Sequence, residues 1–147
     1  MDWTSDIIPV ILAAGCGAVI GIERQLMHKP AGLRTNVLIC VGAAVFTIIS
    51  VRMADTQEPI TRIAAQIVTG VGFLGAGAVI QDRGGVHGLT TAATIWLVAS
   101  IGMACGARFY YLAITTTVLA LAVLVGLGQV DKYFLSRHDD SKPGKGR

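Results

Sequence analysis

The sequence predicts an all-α integral membrane protein, a bundle of about five transmembrane helices. Hydrophobic residues make up 53% of the 147 residues and charged residues only 14%, whereas soluble domains carry about 25% charged residues. The charges are clustered, and five long uncharged intervals separate them. Each interval holds an apolar run close to the roughly 17–25 residues that cross the hydrocarbon core of a bilayer. The rest of the chain is too short to cover five such runs, so lipid must cover them.

The apolar runs predict one transmembrane domain over residues 1–130. Its helices are expected at about 7–22, 35–51, 63–80, 89–105 and 109–127. Pro9 then falls in the first turn of the first helix, where its missing N–H costs little. Pro30 and Gly32 mark the turn before the second helix. Residues 131–147 are polar, with few apolar groups to bury, and are expected to form a disordered cytoplasmic tail.

The distribution of Lys and Arg predicts the orientation. Nine of these residues fall in segments that alternate topology places on one side of the membrane, and three fall on the other. Because the side richer in Lys and Arg is cytoplasmic, the N-terminus is predicted outside and the C-terminus inside. No basic segment precedes the first apolar run, so that run is expected to be a retained span and not a signal peptide.

Small and polar residues inside the runs form a first group of candidates, for helix packing or for a transport pathway. In the first helix, glycines recur every four residues and make a smooth face, which lets membrane helices approach closely. In the third, an amide and a hydroxyl need partners within hydrocarbon, and glycines crowd the second half. The group comprises Gly17, Gly21, Gln66, Thr69, Gly70, Gly72, Gly75 and Gly77.

The stretch GVGFLG, which starts at Gly70, spells the G-x-G-x-x-G pattern of dinucleotide-binding loops. Such a site needs a preceding strand and an acidic residue about twenty positions on, but here the glycines lie within an apolar run and Thr90 occupies that position. No sequence motif of a catalytic or metal site is present either. We expect no enzyme activity, no cofactor, no bound metal and no nucleic-acid partner. Cys16, Cys40 and Cys105 are expected to be packing residues, with a redox or metal role as the alternative.

Polar residues at helix ends form a second group of candidates. Residues 23–36 and 81–91 should share the inner face, so their side chains are expected to converge there. Glu23 could pair with Arg34 or Arg83, and Asp82 with Arg24 or Arg34, since pairs are favoured over isolated charges. The group serves either to anchor helix ends or as a vestibule for a partner, a lipid head group or an ion, although several arginines make it a poor cation site. It comprises Glu23, Arg24, Arg34, Asn36, Asp82, Arg83, Thr90 and Thr91.

Three segments closely resemble the N-terminal membrane domain of the MgtC/SapB family. They are GIERQ…KPAGLRTNVLICVGAAVF, RIAAQIVTGVGFLGAGAVI and GLTTAATIWLVASIGMACG, in the family's order over about residues 15–106. The resemblance implies a multi-pass protein of the bacterial inner (plasma) membrane, linked to magnesium limitation, stress adaptation and, in pathogens, virulence and intracellular survival. Well-known members add a soluble C-terminal domain, whereas this chain ends at Arg147 after a short polar tail. Functions of that domain are therefore not expected here.

Two classes of function follow. The first is a non-enzymatic regulator that acts through helix contacts with another membrane complex; by resemblance that complex is the F-type ATP synthase or a transporter. The second is a small transporter or channel subunit for an ion or small solute, which would use Gln66, Thr69 and the glycine backbone of the third helix. A homo-oligomer is compatible with both, and the lipid bilayer surrounds the chain in either case.

Overall fold

The computed structural model describes residues 3–53, 61–82 and 85–139, and it is all-helical apart from one small hairpin. Its elements are α1 (Trp3–Leu26), α2 (Leu33–Met53), α3 (Thr61–Gly77), β1 (Ile80–Asp82), β2 (Gly85–His87), α4 (Leu89–Gly106) and α5 (Tyr110–Asp139). The predicted five helices are confirmed. Within the described ranges, four of them are long and apolar enough to cross a membrane, namely α1, α2, α4 and α5. Helix α3 is apolar but has 17 residues, a length of about 26 Å.

Two helix ends differ from the sequence prediction. Helix α1 begins at Trp3, so Pro9 lies inside the helix and not in its first turn. Helix α5 continues to Asp139, so residues 131–139, which we expected to be disordered, are helical; residues 140–147 lie outside the described ranges. Both differences have one cause: a helix stops where backbone hydrogen bonding stops, and apolar residues mark only the part that lipid covers.

The third helix ends at Gly77 and not near Ile80, because the chain turns there into a β-hairpin. Strands β1 and β2 pair antiparallel, with Ile80 opposite His87. Gly88 follows with a φ of 89° and caps α4. A Cβ at Gly88 would collide with the carbonyl oxygen of Ala78, so only glycine lets the chain pass this close to the end of α3.

Helices α1 and α4 end in the same way, each with a residue in the left-handed conformation. His28 has a φ of 53° and Arg108 a φ of 66°. After α1, the His28 N–H donates to the Gln25 carbonyl and the Lys29 N–H to the Arg24 carbonyl. The same pair of hydrogen bonds closes α4 at Arg108 and Phe109. These are Schellman motifs, in which glycine normally takes the left-handed position.

Helix α4 lies at the centre and contacts the other four helices. Helix α1 runs antiparallel to α2, since Gly17 packs beside Cys40 while Gly21 packs beside Leu33. Helix α4 runs parallel to α2, since Gly102 packs against Cys40 and Gly106 packs against Ala44, one turn further along α2. Helix α5 buries the smallest share of its apolar stretch among the four long helices.

Candidate functional site

The packing brings four helix ends together. Gly21, near the end of α1, packs against Leu33 at the start of α2: a Cβ placed on Gly21 would lie 2.7 Å from the Leu33 Cα. Gly75, near the end of α3, lies against Ala92 in the first turns of α4. The segments that carry the predicted polar group therefore reach the same end of the bundle. Asp82 belongs to β1 there, but its side chain and the whole of Arg83 lie outside the description.

Only some members of that predicted group are buried. Glu23 is 8% exposed, Arg24 3% and Asn36 0%; we call these three residues the buried polar cluster. Thr91 is also buried, whereas Arg34 and Thr90 are exposed. The predicted group thus separates into buried residues on α1, α2 and α4 and exposed residues on α2 and α4.

Glu23 pairs with its chain neighbour Arg24, and not with Arg34 as one predicted pairing had it. The distance from Glu23 Oε2 to Arg24 Nη1 is 3.7 Å, and both side chains are less than a tenth exposed. Adjacent residues on a helix normally point in different directions. Helices α2, α4 and α5 pack against α1, and the following loop folds back, with the Lys29 N–H donating to the Arg24 carbonyl at 2.9 Å.

Asn36 holds that loop against α2. Its Nδ2 donates to the carbonyls of Ala31 at 2.7 Å and Gly32 at 2.9 Å. Gln25 adds a second tie, since its Oε1 accepts from the Leu33 N–H at 3.2 Å and so satisfies one of the free donors at the start of α2. Sequence reasoning missed this role of Gln25.

Four polar atoms of the buried polar cluster have no hydrogen-bond partner in the described structure. They are Glu23 Oε2, Arg24 Nε, Arg24 Nη2 and Asn36 Oδ1. A buried polar atom without a hydrogen bond costs roughly 1–3 kcal/mol, and more when it is charged. Such atoms are rare in native proteins and call for a physical explanation.

A second candidate surface involves α3. An open groove of about 600 Å³ runs between α2 and α3, and its lining is apolar except for Gln66. We call it the α2–α3 groove. Gln66 is exposed in it, and Gly42 and Gly70 in its walls have nothing within 4 Å of where a Cβ would be. Thr69 is also exposed, but its hydroxyl donates to the Ala65 carbonyl at 3.1 Å.

The predicted packing glycines therefore divide into two sets. Gly17 and Gly21 make close contacts with α2, since a Cβ placed on either glycine would lie only 2.7–2.9 Å from the nearest α2 atoms. On α3, Gly75 makes ordinary contact with Ala92, while Gly70, Gly72 and Gly77 face open space. The close approach expected for the α3 glycines is therefore not made within the described chain, and contact with another chain stays a prediction.

The closest helix–helix contact in the bundle is the seam between α2 and α4, and its two glycines were not among the predicted residues. A Cβ at Gly102 would meet the Cys40 carbonyl oxygen, and one at Gly106 would meet the Ala44 carbonyl oxygen. Their four-residue spacing equals that of Gly17 and Gly21, so the same small-residue signal could have found them.

The three cysteines are free and buried. Cys16, Cys40 and Cys105 belong to one hydrophobic core cluster shared by α1, α2, α4 and α5, which agrees with the packing role expected of them. The described residues contain no group of three His, Cys, Asp or Glu side chains placed to hold a metal ion.

Ion pairs tie the other end of the bundle. Asp6 on α1 pairs with Arg52 at the end of α2, and its second oxygen lies 3.9 Å from Arg108 after α4. All three side chains are more than a quarter exposed, so this contact joins three chain segments in a solvated setting. No role was predicted for these charges from the sequence.

Four membrane-length apolar helices, packed closely against one another, define a multi-pass membrane protein. The MgtC family model matches residues 10–133, and the chain belongs to the MgtC family. It is 50% identical to "Protein MgtC" of Brucella abortus (strain 2308) over 107 residues, which are 73% of this chain and 44% of that protein.

Two further relatives carry similar names. The chain is 51% identical to "Putative magnesium transporter YhiD" of Escherichia coli (strain K12) over 127 residues, with 80% of this chain and 58% of the relative covered. It is 46% identical to "Protein MgtC" of Salmonella typhimurium (strain 14028s / SGSC 2262) over 115 residues, with 78% and 49% covered. The chain thus spans about half the length of these curated relatives. No solved structure matches the chain.

Proposed function

We propose that this chain is a non-enzymatic regulator in the bacterial inner membrane, linked to magnesium limitation, which acts by binding a transmembrane helix of another membrane protein. The magnesium link is supported by the relatives named MgtC and "Putative magnesium transporter YhiD". The mode of action rests on one observation: Gln66 projects into the open α2–α3 groove, among apolar side chains.

The amide of Gln66 has a specific requirement in that position. Lipid tails offer no hydrogen bonds, so a polar side chain among apolar groups of a membrane protein is stabilised when it faces another helix. An interhelical hydrogen bond in a membrane contributes about 0.6–2 kcal/mol. Gly42 and Gly70 flank Gln66 with open space, and this lets a partner backbone approach closely. The occupant we propose is therefore a partner helix that carries small residues and a hydrogen-bonding side chain.

The proposal is tested by co-purification from native membranes of cells grown in low magnesium. Gln66→Leu removes the amide at similar volume, and Gly70→Leu fills the groove; both should lose the captured membrane protein while keeping the thermal stability of the purified chain. Phe73→Leu is the matched control, because Phe73 is 82% exposed on α3 and does not line the groove. Capture that survives Gln66→Leu, or capture of second copies alone, contradicts the proposal.

The proposed orientation places the N-terminus outside and the buried polar cluster at the cytoplasmic end. It is supported by the excess of Lys and Arg in the corresponding segments. All native cysteines are buried, so labelling with a membrane-impermeant maleimide reports on which side of the membrane an introduced cysteine lies. His28→Cys should label only after the membrane is opened, and Arg108→Cys in intact spheroplasts; the reverse pattern contradicts the orientation.

A small transporter is the second candidate, favoured by the name of the Escherichia coli relative. Gln66 and Thr69 lie on the outer surface of a single chain, so any pathway along them requires a second copy to close it. Flux of Mg²⁺ into proteoliposomes that contain the purified chain alone, and its loss in Gln66→Leu, would establish transport in place of regulation.

A further inference from the structure

The buried polar cluster has a hydrogen-bonding capacity that the fold leaves unused, and this does not depend on the regulatory role proposed above. Two of its unpaired atoms are donors, Arg24 Nε and Nη2, and two are acceptors, Glu23 Oε2 and Asn36 Oδ1. Each belongs to a side chain that is more than nine-tenths buried. Whatever binds here must therefore offer acceptors and donors together.

The two donors of Arg24 lie on one edge of its guanidinium. Nε–H and Nη2–H point in parallel, and this edge matches two oxygens of a phosphate or carboxylate group. The third nitrogen, Nη1, is the one that faces Glu23 at 3.7 Å. The carboxylate of Glu23 thus orients the guanidinium and leaves its bidentate edge free for an oxyanion.

The two acceptors select for a positive group beside that oxyanion. Asn36 Nδ2 already donates to two carbonyls of the loop, which fixes Oδ1 as the free end of the amide. An ammonium group has three donors and no acceptor, so it suits Glu23 Oε2 and Asn36 Oδ1. A bare anion would lie next to the Glu23 carboxylate, and a bare cation next to Arg24, each with little water to screen the repulsion.

We propose that Arg24, Glu23 and Asn36 bind a zwitterion that consists of an oxyanion and a primary ammonium group. Its charges sum to zero, as do those of the Glu23–Arg24 pair. Two sources share this chemistry: the head group of an ethanolamine phospholipid, and a free zwitterion such as an amino acid. The four atoms are shielded from solvent, so the ligand enters by displacing the exposed segment 27–30 that follows α1.

The lipid arm uses the full chain in bilayer discs with equal parts of phosphatidylethanolamine and phosphatidylglycerol, and native mass spectrometry of the lipids that stay bound. The wild type should retain the ethanolamine lipid preferentially. Arg24→Lys keeps the charge but loses the bidentate edge, and should weaken that retention about tenfold. Arg34→Lys is the matched control, since Arg34 is exposed at the same end, and should change nothing.

A second variant tests the charge argument and remains informative if Arg24→Lys fails to fold. Glu23→Gln leaves Arg24 without its counter-charge, so the preference should shift towards the anionic phosphatidylglycerol. The free-ligand arm measures thermal stabilisation of the lipid-stripped chain by glycerophosphoethanolamine, a phosphodiester with zero net charge, and by glycine. Stabilisation without lipid preference assigns the site to a soluble zwitterion. Absence of both effects, or equal effects of Arg24→Lys and Arg34→Lys, overturns the proposal and leaves water as the occupant.

Discussion

The seam between α2 and α4 should tolerate no side chain at Gly102. A Cβ there would overlap the carbonyl oxygen of Cys40 and would lie 3.0 Å from the Cβ of Ala43. The first of these atoms belongs to the backbone of a helix, so it cannot rotate away as the end of a flexible side chain could. Gly102→Ala therefore forces the two helices apart along a seam that also contains Gly106.

The size of the effect follows from two opposing contributions. Overpacking by one methyl group costs about 1–3 kcal/mol, and a forced backbone contact belongs at the upper end of that range. Replacing a helical glycine by alanine returns about 1 kcal/mol through helix propensity. The net loss of stability in Gly102→Ala should thus be about 1–2 kcal/mol. Gly70→Ala is the matched control: it meets open space and should gain up to about 1 kcal/mol.

Reversible unfolding of the purified chain in mixed micelles, with increasing sodium dodecyl sulfate and helicity as the readout, measures both variants against the wild type. Their stabilities should differ by about 1–3 kcal/mol, with Gly102→Ala below the wild type and Gly70→Ala at or above it. Equal stability of the two variants, or a Gly102→Ala chain as stable as the wild type, would refute the seam geometry.

The remaining predictions concern helix ends. His28→Gly and Arg108→Gly should each stabilise the chain by roughly 0.5–1 kcal/mol in the same assay, because glycine removes the left-handed strain of about 1–2 kcal/mol at some entropic cost; loss of stability would contradict the Schellman geometry. Gly88→Ala should destabilise by more than about 2 kcal/mol, and a neutral result would contradict the close approach to Ala78. Asp6→Asn should cost less than about 1 kcal/mol and lose its effect in high salt; a salt-independent loss would contradict a solvated ion pair.

The helix count could be predicted from the sequence because lipid imposes a length and an apolar composition on each span. Helix ends could not be predicted equally well. The apolar run of α5 stops near residue 127, yet the helix continues because polar residues such as Gln129 propagate a helix as readily as apolar ones. The hairpin at Ile80–His87 was missed because β1 and β2 are only three residues each.

The end of the bundle at which the candidate residues lie could be predicted from the sequence, but which of their charges pair could not. Charge counting brought Glu23 and Arg24 to one end of the bundle with Arg34, since antiparallel helices must return there. The sequence cannot reveal which charge is covered, because burial of Arg24 depends on how the loop folds back onto α1. Glycines pose the same difficulty: Gly70 and Gly102 have identical side chains and similar helical surroundings, and only the tertiary packing separates an open surface from a seam.

The two proposals assign different physical roles to polar groups in one bundle, and they can be separated. Gln66 is uncharged and exposed on the wall of the α2–α3 groove, so its replacement should leave the isolated chain intact. Arg24 is charged and shielded, so its replacement must act on the fold or on a bound ligand. Helices α1 and α3 make almost no contact with each other, and distant changes usually add within about 0.5 kcal/mol. A Gln66→Leu, Arg24→Lys double variant should therefore show the sum of the two single effects on stability; a clear departure would mean that partner helix and buried cluster act through a common conformational change.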